Sequence, residues 1–245
     1  FSWRHLPSWL LLCFAAGAVN GTTVLACEVF ITHVTGSMAQ LGMEFARLNI
    51  MLDFLAVVTC FVVGAMTAGF LINGRVARGK AAYFSLPLWL TALVITTVAI
   101  LGKAGIFGPF GGSVSQPIDF VMLSLVSFAM GMQNAAVATS TGQLVRTTHL
   151  TGPATDLGLH LAALFYVTGQ ARAVARSHAL LRLGKIVAFA VGAAASVPLA
   201  RAFGYLALLV PGAVVVLATL LSYALPSRTT SRRGVKETGW RRALT

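Results

Sequence analysis

Long apolar runs separated by short polar segments organise this chain. Windows of bilayer length centre on residues 8–31, 50–73, 81–102, 118–143, 184–202 and 204–225. A helix rises about 1.5 Å per residue, so runs of this size reach across the roughly 30 Å of a hydrocarbon core. The pattern predicts six transmembrane helices. Two further segments, 36–48 and 152–170, are helical in periodicity but interrupted and partly polar. They are expected to be half-helices or interfacial helices.

Composition sharpens this reading. The chain is 57% apolar and only 10% charged, whereas soluble domains carry about a quarter Asp, Glu, Lys and Arg. Disorder is excluded, a soluble enzyme does not fit this balance, and the fold class expected is an all-α integral membrane protein. The net charge of +12 then needs a topological explanation, because basic residues collect on the cytoplasmic side of a membrane. With the N-terminus in the cytoplasm, all but Arg47, Lys103 and Arg201 of the 18 Lys and Arg residues fall on that side. Both termini are therefore expected in the cytoplasm, and an odd number of spans breaks the asymmetry. Residues 1–225 read as a single membrane domain. Residues 226–245 read as a basic, disordered cytoplasmic tail that attracts anionic lipid, with no base-reading face for nucleic acid.

The chain also matches itself. Thr32-His33-Val34-Thr35-Gly36, followed by Leu41-Gly42, recurs as Thr148-His149-Leu150-Thr151-Gly152, followed by Leu157-Gly158. Gly17 and Asn20 answer to Gly131 and Asn134, Phe61-x-Val63-Gly64-Ala65 to Phe189-x-Val191-Gly192-Ala193, and Pro87 to Pro211. Four matches in one order define two repeats, 7–103 and 118–225. Three spans in each force the second to enter the membrane in the opposite sense, the inverted-repeat construction of many secondary transporters. The small-residue stretch Ala16-Gly17-Ala18 imitates a signal cleavage site, but it is copied deep inside the chain, so span one is expected to be a retained helix. The second repeat carries about a dozen extra residues, including Arg172, Arg176 and His178, which fit a lengthened cytoplasmic helix.

Few polar residues lie in or beside the apolar runs, and those are the candidate pathway. Asn20 and Asn134, with Gln133 beside the latter, are amides at mid-depth of equivalent spans; they either bond the helices together or line a cavity. Thr35 and Thr151 read as N-caps, each followed by a glycine, Gly36 and Gly152, with Pro153 near the first helical position of the second copy. Free N–H groups and positive dipole ends at two such starts suit an anionic group. Thr32 and Thr148 flank His33 and His149, whose titration near neutral pH allows coupling to protons. Asp156, where the first repeat has Gln40, shares a helical face with His160 and is expected to pair with it.

The residues that define the repeat also carry a resemblance. A-G-x-x-N followed by T-H-x-T-G-x-x-x-x-L-G in the first half, and G-M-Q-N-A followed by R-T-T-H-x-T-G-x-x-T-D-L-G in the second, resemble the YoaK-like bacterial membrane proteins, a domain of unknown function. The resemblance covers roughly residues 7 to 225 and implies a bacterial inner-membrane protein of about six spans. Many members have Asp where Asn20 stands and Asn where Ser37 stands, so a proton role at position 20 does not carry over to this chain.

No enzyme motif is present: no H-E-x-x-H, no phosphate loop before a Lys, no G-x-S-x-G turn. Cys13, Cys27 and Cys60 sit in apolar runs without a C-x-x-C pair, so neither a disulfide framework nor a metal site is suggested, and no cofactor is expected. The function expected is a secondary transporter or exporter of a small polar or anionic solute, with proton coupling through the histidines. A passive channel and a non-transporting scaffold or accessory subunit are the alternatives. Partners expected are the lipid bilayer, the solute and a second copy of the chain.

Overall fold

Residues 5–29, 34–43, 46–112 and 117–223 are described by a computed structural model. The described residues form eight α-helices in chain order: α1 (Leu6–Cys27), α2 (Val34–Met43), α3 (Leu48–Ala77), α4 (Ser85–Lys103), α5 (Pro117–Ser140), α6 (Thr151–Ala163), α7 (Gly169–Phe203) and α8 (Leu209–Ser222). A 3-10 turn, Gly204–Leu208, joins the last two. The described residues contain no strand. Thr32, His33 and the tail from residue 226 lie outside them.

Among the described residues five helical stretches are long and apolar enough to cross a membrane: Leu6–Cys27, Leu48–Ala77, Ser85–Lys103, Ile118–Ser140 and Gly169–Ser222. The last takes in both final predicted runs, because α7 continues directly into the 3-10 turn and α8. Side-chain contacts nevertheless reverse the chain there. Gly184 of α7 faces Leu10 near the start of α1, whereas Gly204, at φ +57°, faces Phe110 beyond the end of α4. From that end α8 returns, so that Tyr205 lies against Gly102 and the Tyr223 hydroxyl accepts a bond from Trp9 Nε1 at 2.9 Å. A positive φ suits such a turn, and glycine adopts it without a Cβ penalty.

The longest helix contacts are α1 with α7 and α3 with α5; α4 packs on α5 and α8, and α8 on α1. Glycines set the distance in both main crossings. A Cβ added at Gly17 would overlap the Phe189 carbonyl oxygen, and one at Gly192 would overlap that of Phe14. In the other crossing Gly131 stands in the same relation to Phe61, and Gly64 to Phe128. Lipid tails offer no hydrophobic reward for burying apolar side chains, so close backbone approach and dispersion must hold such helices together. Polar side chains add to this: Ser127 Oγ donates to the Val57 carbonyl at 2.8 Å, and Thr91 Oγ1 to that of Ala129 at 3.2 Å.

Outward faces remain apolar. Phe70, Leu93, Ile100, Leu220 and Leu221 are all exposed, the arrangement of a protein whose solvent is lipid. The short helices lie against the long ones, α2 on α3 and α6 on α7. They fall in the segments, 36–48 and 152–170, where half-helices or interfacial helices were expected. At 35 residues α7 is longer than the 30-residue α3, in keeping with extra residues in the second half.

Candidate functional site

The route into the site begins where α5 ends. Ser140 closes the helix, and the chain turns through Gln143 at φ +68°. Thr141 Oγ1 accepts the Val145 N–H at 3.0 Å, which tightens the turn. Two amides from the preceding helix then tie the returning segment down. Gln133 Nε2 donates to Thr147 Oγ1 at 3.1 Å and to the Leu12 carbonyl of α1 at 3.0 Å, while Asn134 Oδ1 accepts the Thr148 N–H at 3.3 Å. Helix α6 starts from this anchored segment.

Its start differs from the expected cap. Leu150 is the N-cap residue and makes no side-chain bond; its carbonyl accepts the Ala154 N–H at 2.9 Å. Thr151 is therefore the first helical residue and Pro153 the third. Thr35 likewise lies inside α2, which begins at Val34. The N-cap assignment of both threonines is corrected: the bond from Thr148 to Asn134 holds the approach to α6, so the helix winds one residue earlier than a threonine cap allows.

A cavity of about 570 Å³ opens between these elements. Asn20 of α1 and Asn134 of α5 line it, together with Thr35 at the start of α2 and Thr148, His149 and Thr151 at the start of α6. Phe61 and Phe189, the residues whose carbonyls meet Gly131 and Gly17, form apolar walls, and Arg146 supplies a cation. Six predicted positions that are far apart in the chain thus share one space. Gln133 is not among the lining residues; it is fully buried and bonds α5 to α1 and to Thr147. Gly36 is likewise absent from the walls.

A smaller cavity of about 180 Å³ adjoins the first, sharing Arg146 and His149. Gly152, Pro153, Asp156, Arg182 and Lys185 complete most of its lining. Gly152 leaves room for the His149 ring, which would have to shift to admit a Cβ at 2.7 Å. Asp156 does not pair with His160. Its Oδ2 lies 3.1 Å from Arg182 Nε, and Arg182 also donates to the Leu144 carbonyl at 2.6 Å. His160 instead stacks on His178, with ring centroids 5.2 Å apart. The reason is that α6 lies along α7, which offers both partners across the interface and leaves the local pairing unused.

Burial, reinforced by the neighbouring Arg146 and Lys185 cations and only partly offset by Asp156, holds the His149 imidazole below its ordinary pKa of 6.5. Its neutral form is favoured at pH 7, so it can donate or accept a hydrogen bond at the junction of the two cavities. Sequence reasoning missed Lys185 and Arg182, which were counted only as cytoplasmic charges. The available signal was that Lys185 falls inside the predicted 184–202 run, where an ionisable residue is costly and marks function. Among the described residues no group of three His, Cys, Asp or Glu side chains gathers as a metal site.

The family described as protein of unknown function (DUF1275) matches residues 8–221. The chain matches no curated protein and no solved structure.

Proposed function

The chain belongs to the DUF1275 family, and we propose that it is a multi-pass transporter of the bacterial inner membrane that moves a small polar or anionic solute. The observation that supports this is the make-up of the larger cavity. Its walls come in pairs that occupy equivalent places in the two halves of the sequence: Asn20 with Asn134, Val34 with Leu150, Thr35 with Thr151, and Phe61 with Phe189. The glycine contacts pair in the same way, Gly17 on Phe189 with Gly131 on Phe61. In this reading two inverted repeats, 7–103 and 118–225, meet about a pseudo-two-fold axis, and the cavity lies on it. Secondary transporters built from inverted repeats bind their cargo at the repeat interface, near broken or short helices.

Six passes follow from the reversal at Gly204. The distribution of Lys and Arg then puts both termini in the cytoplasm. The start of α6 and the cationic smaller cavity face that side, whereas α2 approaches the larger cavity from the opposite half. Alternating access would rock one repeat against the other across the glycine crossings. No catalytic group is assigned, and the polar residues bind and pass the solute without bond making.

The test is flux in proteoliposomes over a panel of small organic and inorganic anions and neutral polar solutes, with and without a pH gradient. Saturable flux that falls at least tenfold in Asn134→Ala, with the protein still folded, supports transport. Flux that rises linearly with concentration assigns a channel, and no flux for any solute removes the proposal. Acceleration by a pH gradient that is lost in a His33→Ala/His149→Ala double variant assigns proton coupling.

A further inference from the structure

The smaller cavity holds a charge pattern that protein groups alone do not balance. Lys185 lines it and is 1% exposed, yet among the described residues no hydrogen bond or ion pair holds its ammonium. Arg182 is spoken for by Asp156 and the Leu144 carbonyl. Among the described residues Arg146, the third cation on the wall, bonds the neutral amide oxygen of Gln143, at 3.3 Å, and no carboxylate. Three cations therefore face one carboxylate. Removing an ammonium from water without a partner is costly, and buried charges are normally paired.

The same wall includes the N-terminus of the 13-residue α6. Pro153 has no N–H, and the Ala154 N–H is taken by the Leu150 carbonyl, which leaves the N–H groups of Thr151 and Gly152 without an intrahelical acceptor. The positive end of the helix dipole lies there too. His149, favoured in its neutral form, adds a hydrogen-bonding group that does not alter the charge balance.

From this geometry we infer that the cavity between α6, α7 and the 141–150 segment is a binding site for a small oxyanion group, phosphate or its like, held by Lys185 and Arg146 at the N-terminus of α6. A volume of about 180 Å³ admits a single tetrahedral or planar oxyanion together with waters, at about 30 Å³ each. Arg182 and Asp156, paired with each other, complete its charged lining. Through Arg146 and His149 the site opens onto the larger cavity, so an anionic solute would meet it at the cytoplasmic end of the pathway. That last step rests on the transport reading; the binding does not. The oxyanion could belong to a free solute or to a phospholipid headgroup, and the chemistry is shared.

The test uses the full chain, purified free of lipid in neutral detergent and titrated with inorganic phosphate by calorimetry. A second arm places it in phosphatidylcholine nanodiscs with and without phosphatidylglycerol and measures retention of the anionic lipid. The expected result is saturable phosphate binding that weakens at least tenfold in Lys185→Met and in Arg146→Gln, with Arg201→Gln unchanged. Lys185-dependent retention of phosphatidylglycerol, with weak phosphate binding, assigns the headgroup as the source. Should Lys185→Met fail to fold, the exposed Arg146 decides through its own variant. Wild-type protein that binds neither probe, or folded variants that bind both as the wild type does, would overturn the site. Phosphate binding without flux of any solute would leave the site in place and remove transport; flux without Lys185-dependent binding would do the reverse.

Discussion

Gly131 lies so close to the carbonyl oxygen of Phe61 that a single added methyl would overlap it. The contact brings α5 onto α3 at the wall of the larger cavity, since Phe61 lines that cavity and Asn134 follows one turn after Gly131. Helix spacing and cavity shape are thus set by the same residues. Gly131→Ala should destabilise the protein by about 2 kcal/mol or more, because backbone cannot yield as a flexible side chain does. Gly69→Ala, with nothing within 4 Å of the new methyl, should be neutral or slightly stabilising. Thermal unfolding of both variants in one detergent checks the contrast.

The Trp9 to Tyr223 bond joins the start of α1 to the end of α8, and Ser140 of α5 lies 3.3 Å from the same hydroxyl. Tyr223→Phe keeps the ring but leaves the buried Trp9 N–H without this acceptor. A loss of about 1 to 2 kcal/mol is expected. Chemical denaturation should register it without a change in anion binding.

Asp156 and Arg182 test how much an ion pair at the edge of a site contributes. The Asp156 side chain is 43% exposed, so solvent screens the pair and a coupling of about 1 kcal/mol or less is expected in a double-mutant cycle. Arg182→Met should cost more than Asp156→Asn. It also removes the bond to the Leu144 carbonyl.

His149 should titrate below 6.5, since burial comes first and Arg146 and Lys185 add to it. Taking away the Arg146 charge in Arg146→Gln should move the titration up toward 6.5. A histidine lowered in the folded state favours folding above its unfolded value, and that contribution is lost as pH falls below 6.5 through the folded value. Histidine-labelled NMR over pH 4 to about 8 follows the ring directly; a titration at or above 6.5 in the wild type would contradict the environment described.

Much of the candidate site was legible before any coordinates. Asn20, Asn134, Thr35, Thr148, His149 and Thr151 stand out because the chain repeats them, and a residue repeated against an apolar background has few structural excuses. The glycines were legible as packing residues for the same reason. Lys185 was missed, because at the edge of the predicted 184–202 run it was counted as a cytoplasmic charge, and a count is the same whether the cation faces water or lines a cavity. The partner of Asp156 was hidden by distance along the chain: a local rule favours His160 four residues on, and only the lie of α6 on α7 offers Arg182.

What the sequence determined by itself is the class of solvent and the helical elements suited to it. In lipid every backbone group must be satisfied within the protein, by a helix or a closed barrel, and unbroken apolar runs of span length suit the helix. Hydropathy is a sum over neighbours in the chain and survives without knowledge of the fold. The tertiary structure decided which elements meet: the crossings of α1 with α7 and of α3 with α5, the reversal at Gly204, and the gathering of three cations around the start of α6. Those depend on backbone approach to within one missing methyl group and on side chains that reach across interfaces. Neither quantity is a property of any local stretch of sequence.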